Sequence, residues 1–246
     1  MNKSKVLVGL IIILYVLFVI FEFSGRYNLS LYFDCLMIPI ITLIYILNVG
    51  KKNILFLLFL LFFTISNLFV LSTDILINNK ESAIYDYEYY IANSMLVLAY
   101  VFLFVKISKS ICIIHILKNF KIHIFVLAAL NLYLIYVLQI IVEPNKEIAI
   151  YYFELIYNIV TLLLLSAALL NYFYRDNQKS LYLFLGVLCL VFSEVIDIAF
   201  IYVAQRDILN ILSTSLSLAA FYFLYQQSKL LNDSREERIY KLTEIE

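Results

Sequence analysis

Glycine and proline are nearly missing from this sequence, with four and two in 246 residues. Transporters that hold a solute at mid-membrane commonly break paired helices with these residues, yet of the prolines here only Pro39 falls inside an apolar run, and no paired interruption occurs. No Gly-x-x-x-Gly pair marks a tight helix crossing either. Long, unbroken helices are therefore expected, and a rocking transporter is disfavoured. Charge is also scarce, at 15% against about a quarter in soluble domains, which excludes an ordinary soluble fold. The three cysteines (Cys35, Cys112, Cys189) form neither a Cys-x-x-Cys pair nor a disulfide framework. No glycine-rich loop follows a strand pattern, so there is no nucleotide site and no nucleic-acid partner to read. Tryptophan is absent, and the Lys-, Ile- and Asn-rich composition points to a bacterial, AT-rich genome.

Hydrophobic residues fill the space left by these absences. They make up 64% of the chain, and the mean hydropathy is +0.95. A run of about 20 apolar residues spans the hydrocarbon core as a helix. Eight such runs occur, at 6–23, 29–49, 54–71, 89–105, 122–142, 148–172, 181–204 and 208–225. The fold class is all-α, a polytopic integral membrane bundle of eight transmembrane helices. Residues 1–228 form the transmembrane domain and 229–246 a charged helical tail, which is a candidate contact for a cytoplasmic protein partner. The first run lacks a small-residue cleavage site, since Glu22, Phe23, Arg26 and Tyr27 follow it, and it reads as a retained helix. The apolar segment Ser110–Leu117 is too short to span and reads as an interfacial helix. It is flanked by His115 and His123, whose spacing suits snorkelling side chains better than a metal pair.

The formal net charge of zero conceals an asymmetry. Alternate loops hold only Arg26, Lys80, Lys146 and Arg206 of the 18 basic residues. By the positive-inside rule both termini are cytoplasmic, in what reads as a bacterial plasma membrane. The opposite loops carry Glu81, Asp86 and Glu88 among Tyr85, Tyr87, Tyr89 and Tyr90, an interfacial aromatic belt.

In that orientation the polar residues inside the spans gather toward the outer leaflet. A charge in hydrocarbon costs about 2.5–3.5 kcal/mol even on lenient scales, so each needs a partner, a proton or water. Helical rise of about 1.5 Å per residue puts Asp34, Asn67, Asn93, Ser94, Glu154, Asn158, Glu194, Asp197, Asn210, Ser213 and Ser217 from near the midplane outward. Glu154 and Asn158 are four apart, and Glu194 and Asp197 three apart, so each pair shares a helix face. The inner halves offer little beyond Thr42, Ser166 and tyrosines, so one cavity closed on the cytoplasmic side is expected. Glu194 is the deepest acid, with no Lys or Arg at its depth. A carboxylic acid there can act as a general acid, a proton carrier or a hydrogen-bond tie between helices.

The run Gly186-Val-Leu-Cys-Leu-Val-Phe-Ser193-Glu194 resembles the Gly-x6-Ser-Asp signature of the YhhN, or lysoplasmalogenase, family of eight-helix membrane proteins. Ile38-Pro39-Ile40 is similar to that family's Lys-Pro-Leu, Ser66-Asn67 to its Gly-Asp, and Leu212 to Tyr225 to its closing helix. The resemblance implies hydrolysis of the vinyl ether of lysoplasmalogens or a related lysolipid. In that role Glu194, Asn67, Asp197 and Asp34 would be catalytic, and Ser193, Glu154, Asn158, Asn93 and Ser213 would bind substrate, with no cofactor and no metal. The chain departs from the pattern at Ile38, Asn67 and Glu194, where the family has lysine, aspartate and aspartate. Two other readings stay open: a noncatalytic lipid-binding, sensory or scaffold protein, and a proton-coupled transporter of a small solute.

Overall fold

A computed structural model describes residues 3–50, 52–76, 83–142 and 148–230. Among them the chain forms nine helices and no strand: α1 (Lys3–Phe23), α2 (Tyr27–Asn48), α3 (Ile54–Leu76), α4 (Ala83–Ser108), α5 (Ile113–Asn119), α6 (Lys121–Val142), α7 (Ile148–Arg175), α8 (Gln178–Tyr202) and α9 (Asp207–Lys229). Eight of these, all but α5, are long and apolar enough to cross a membrane. Their lipid-side faces are studded with exposed Ile, Leu, Val and Phe, as the bilayer requires of a multi-pass membrane protein. Several helices outrun the apolar runs. With no glycine or proline to stop them, α3 continues to Leu76 and α7 to Arg175. The tail beyond Leu230 lies outside the described residues, as do Lys80, Glu81 and Lys146.

The short interfacial helix begins at Ile113 rather than Ser110. Ser110 belongs to a turn, where its N–H and its hydroxyl both donate to the Ile107 carbonyl. The Arg175 guanidinium donates twice to the Ser110 carbonyl, pinning that turn to the end of α7. His115 and His123 stand against different rings, Tyr174 at 5.3 Å and Phe173 at 5.4 Å.

Six helices (α2, α3, α4, α7, α8, α9) form a ring, in which each packs on the next. α1 lies outside α2, and α6 lies outside α7. Half of the ring's interior is solid. Phe56, Phe59, Leu60, Leu103, Phe221 and Leu224 are almost wholly buried there. Phe59 stacks on Phe221 at a centroid distance of 5.8 Å, and Phe63 meets the two edge-on at 6.0 and 5.0 Å. The expected polar groups of this half find local partners. Thr42 bonds back to the Ile38 carbonyl and across to Thr64, and Ser166 accepts from Asn131.

Because lipid tails are as apolar as leucine, helices in a bilayer associate through close packing and interhelical hydrogen bonds. The α8/α9 pair shows how. A Cβ on Gly186 would sit 2.8 Å from Leu224 Cγ and 3.2 Å from the Ala220 carbonyl oxygen. Two turns further along, Ser193 Oγ donates to the Ser213 carbonyl at 2.9 Å, and Ser213 Oγ to the Ser193 carbonyl at 3.2 Å. The glycine and serine of the Gly-x6-Ser-Glu run therefore both contribute to helix packing, and the acid that follows them turns into the ring. Gly186→Ala is expected to destabilise the protein by about 1–3 kcal/mol through overpacking, read as a lower thermal midpoint in detergent. Gly9→Ala, where an added methyl meets nothing within 4 Å, is the neutral comparison.

Candidate functional site

The other half of the ring encloses a cavity of about 330 Å³. All six ring helices line it, from Tyr89, Tyr202 and Asn210 near their ends to Phe63, Leu96 and Leu218 deeper in. Eight of the nine residues singled out as site candidates lie on its wall: Asp34, Asn67, Asn93, Glu154, Ser193, Glu194, Asp197 and Ser213. Asn158 does not. A step of four residues runs about 40° past a full helical turn, and Tyr157, three residues on from Glu154, takes the cavity-facing place instead. Asn158 is buried, and its amide nitrogen has no acceptor among the described residues.

Two of the four acids on the wall are held by phenols rather than by basic side chains. Glu194 accepts from two tyrosines at once, Oε1 from Tyr100 of α4 and Oε2 from Tyr157 of α7 at 2.5 Å. Tyr100 is fully buried and its ring meets that of Tyr157 edge-on at 5.8 Å. The arrangement recurs toward the mouth. Glu154 Oε1 accepts from Tyr89 of α4 and from Tyr202 of α8, the latter at 3.0 Å. Three neighbouring helices thus exchange donors and acceptors: α4 gives two phenols, α7 a phenol and a carboxyl, α8 a carboxyl and a phenol. Each oxygen so paired escapes the penalty of an unsatisfied polar atom in hydrocarbon.

On the opposite wall Asp34 Oδ1 accepts from the Thr214 hydroxyl at 3.2 Å. Asp197 lies one turn nearer the mouth than Glu194 on the same face of α8. Asn93 turns its amide back to the Tyr89 carbonyl of its own helix at 2.9 Å. A fifth acid stands behind the wall. Glu22 of α1 is 1% exposed and accepts from Ser30 at 2.5 Å and from the Asn210 amide at 2.6 Å. The sequence reading met Glu22 only as a residue unsuited to a cleavage site. Tyr100 and Tyr157 also escaped it, although a phenol in mid-span must find an acceptor, and Tyr157 stands one turn from Glu154.

No Lys, Arg or His among the described residues lines the cavity. Among the described residues no three His, Cys, Asp or Glu side chains converge as a metal site would require. The wall combines four carboxyl groups, amides and hydroxyls with Met37, Ile38, Phe63, Leu96, Ile198 and Leu218. An amphiphile with a polar head and an apolar stem matches such a mixed lining. Chemically, Glu194 can release a proton into the cavity while its two phenols stabilise the carboxylate left behind. Neither family models, curated proteins nor solved structures give a match to this chain.

Tyr157→Phe and Tyr100→Phe are each expected to cost about 1–3 kcal/mol, because each strips a donor from a carboxyl oxygen that water cannot fully serve. Combining Tyr157→Phe with Glu194→Gln should give a coupling of about 0.5–3 kcal/mol in a double-mutant cycle. Strictly additive losses would show that the clamp carries no interaction of its own.

Proposed function

We propose that this protein is a membrane-embedded hydrolase of single-chain vinyl ether lipids, related to the YhhN lysoplasmalogenases. In the proposed orientation both termini are cytoplasmic and the cavity opens toward the outer leaflet of a bacterial plasma membrane. The observation that carries the reading is Glu194, a carboxyl set between two phenols on the wall of a cavity lined by both polar and apolar side chains. The Gly186-to-Glu194 run and the order of the other short motifs support it.

The chemistry follows from the groups present. Glu194 gives a proton to the vinyl carbon remote from oxygen, and the C=C electron pair forms the new C–H bond. The adjacent carbon becomes an oxocarbenium ion, stabilised by the surrounding carboxylates. Water, oriented by Asn67, Asp197 or Asp34, adds to that carbon and loses a proton back to the carboxylates. The hemiacetal then collapses to a fatty aldehyde and a glycerophospho-base. Asp197, one turn from Glu194, is placed to take part in proton return. Asn67 cannot exchange protons, so its part is to position water.

A noncatalytic lipid-binding role is the second reading, favoured by Asn67 where the resembling family has an acid. The two readings part on Glu194. Protein reconstituted in liposomes is expected to release aldehyde from a lysoplasmalogen, and Glu194→Gln to slow that release by at least about 100-fold, the lower bound for loss of a general acid. Absence of activity on every vinyl ether and ester lysolipid tried would reject the hydrolase. Lysolipid that co-purifies equally with wild type and Glu194→Gln would then favour the binding role.

Orientation has its own test. With the three native cysteines replaced, Arg206→Cys is expected to react with an impermeant maleimide on intact cells, and Lys118→Cys to react only after lysis. The reverse pattern would invert the topology.

A further inference from the structure

A cavity of this size lies at the low end of the about 300–1,000 Å³ that drug-sized ligands occupy. It suits a head group and the first carbons of a chain, and the rest of a long chain has to lie elsewhere. One joint of the ring differs from the other five. α2 and α9 make the sparsest contact of any neighbours in the ring. Their wall consists of Met37 and Leu218, which line the cavity and on their other side join Leu14 and Phe18 of α1 in a small apolar cluster separate from the main core. Between cavity and bilayer there is thus a thin wall, covered from outside by one helix.

The cover packs closely along α2 through apolar side chains, but it meets α9 lightly, and there polar ties fasten it. Tyr15 of α1 bonds to Ser215 of α9 at 2.6 Å, and Glu22 of α1 takes the Asn210 amide of α9 at 2.6 Å. α2 reaches α9 through the Asp34–Thr214 bond at 3.2 Å and the Tyr27–Asp207 bond at 3.3 Å. α8 and α9, by contrast, are locked by backbone approach at Gly186. Methionine, unbranched and adaptable, is a side chain that can yield to another apolar chain.

We propose that the α2/α9 joint, beneath α1, is where the hydrocarbon chain of a single-chain amphiphile passes between the bilayer and the cavity, lying against Phe18, Met37 and Leu218 while its head group meets the acids. The stretch at Met37 and Leu218 is short, bounded by the Asp34–Thr214 bond across the same joint, and so suits one chain better than two. This inference rests on the reading of the cavity as a lipid site, and it holds for a hydrolase and for a binding protein alike.

The test uses a lysolipid with a photoreactive diazirine at the end of its chain, incorporated with the full-length protein into liposomes. Adducts are expected on α1, α2 and α9 around Phe18, Met37 and Leu218. Unlabelled lysolipid should compete with the probe, although the two-chain lipid of the bilayer, already in large excess, does not. Adducts concentrated on α3, α4 or α7 would overturn the route while leaving the lipid site intact. No adduct above that of a protein-free-cavity control, Glu194→Gln with Leu96→Trp, would reject the lipid site itself and the route with it.

A second measurement guards against misfolding. Tyr15→Cys with Ser215→Cys, in a background lacking Cys35, Cys112 and Cys189, is bridged by a reducible bifunctional thiol reagent. Bridging is expected to cut adduct formation at least tenfold and reduction to restore it. Equal labelling of the bridged and reduced protein would overturn the proposal.

Discussion

A carboxyl group inside a bilayer has no water to fall back on, so the protein must hand it donors from other helices, and those donors then fix where the helices stand. Here the donors are phenols. Tyrosine is suited to the task because its ring packs as a hydrophobe while its hydroxyl satisfies an acceptor. It also adds no charge of its own to be desolvated, as a lysine or arginine would. Two such groups on each of Glu194 and Glu154 tie α4, α7 and α8 into one frame. The cavity exists because these side chains point inward and meet one another short of the centre.

The rest of the ring is organised around that frame by a different force. In the solid half, aromatic rings and small residues give the contact: Ala99, Ala168 and Ala220 are fully buried, and Gly186 admits Leu224. A bundle built this way needs few glycines, provided that they stand where two backbones meet. Gly186 does so, and Gly25, at φ +70°, turns the chain from α1 into α2.

Much of this was legible in the sequence for a plain reason. Membrane spans announce themselves by length and hydropathy, so all eight long helices were found, with ends that differ because interfacial residues can stay helical after hydropathy fades. The acids were found by the same logic, since polarity in hydrocarbon is conspicuous against so uniform a background. Their partners were not. Tyrosine is common here, with 21 in the chain, and nothing local separates Tyr100, which meets Glu194 across the ring, from Tyr222, which faces outward. Pairing between helices distant in sequence is a property of the assembled ring. Glu22 was passed over because it sits at the end of its span, where a charge is unremarkable, until α2 and α9 close over it.

The Thr42–Thr64 bond, at 2.8 Å, has a mechanical meaning. It pins α2 to α3 at the level where the solid half begins. Between that pin and Asp34 lies Pro39, which lacks the N–H that would tie its turn to the Cys35 carbonyl. α2 is therefore held on both sides of a turn that lacks an internal hydrogen bond, by Thr42 on Thr64 of α3 and by Asp34 on Thr214 of α9. A weak turn between two anchored ones lets the helix bend there without loosening either contact.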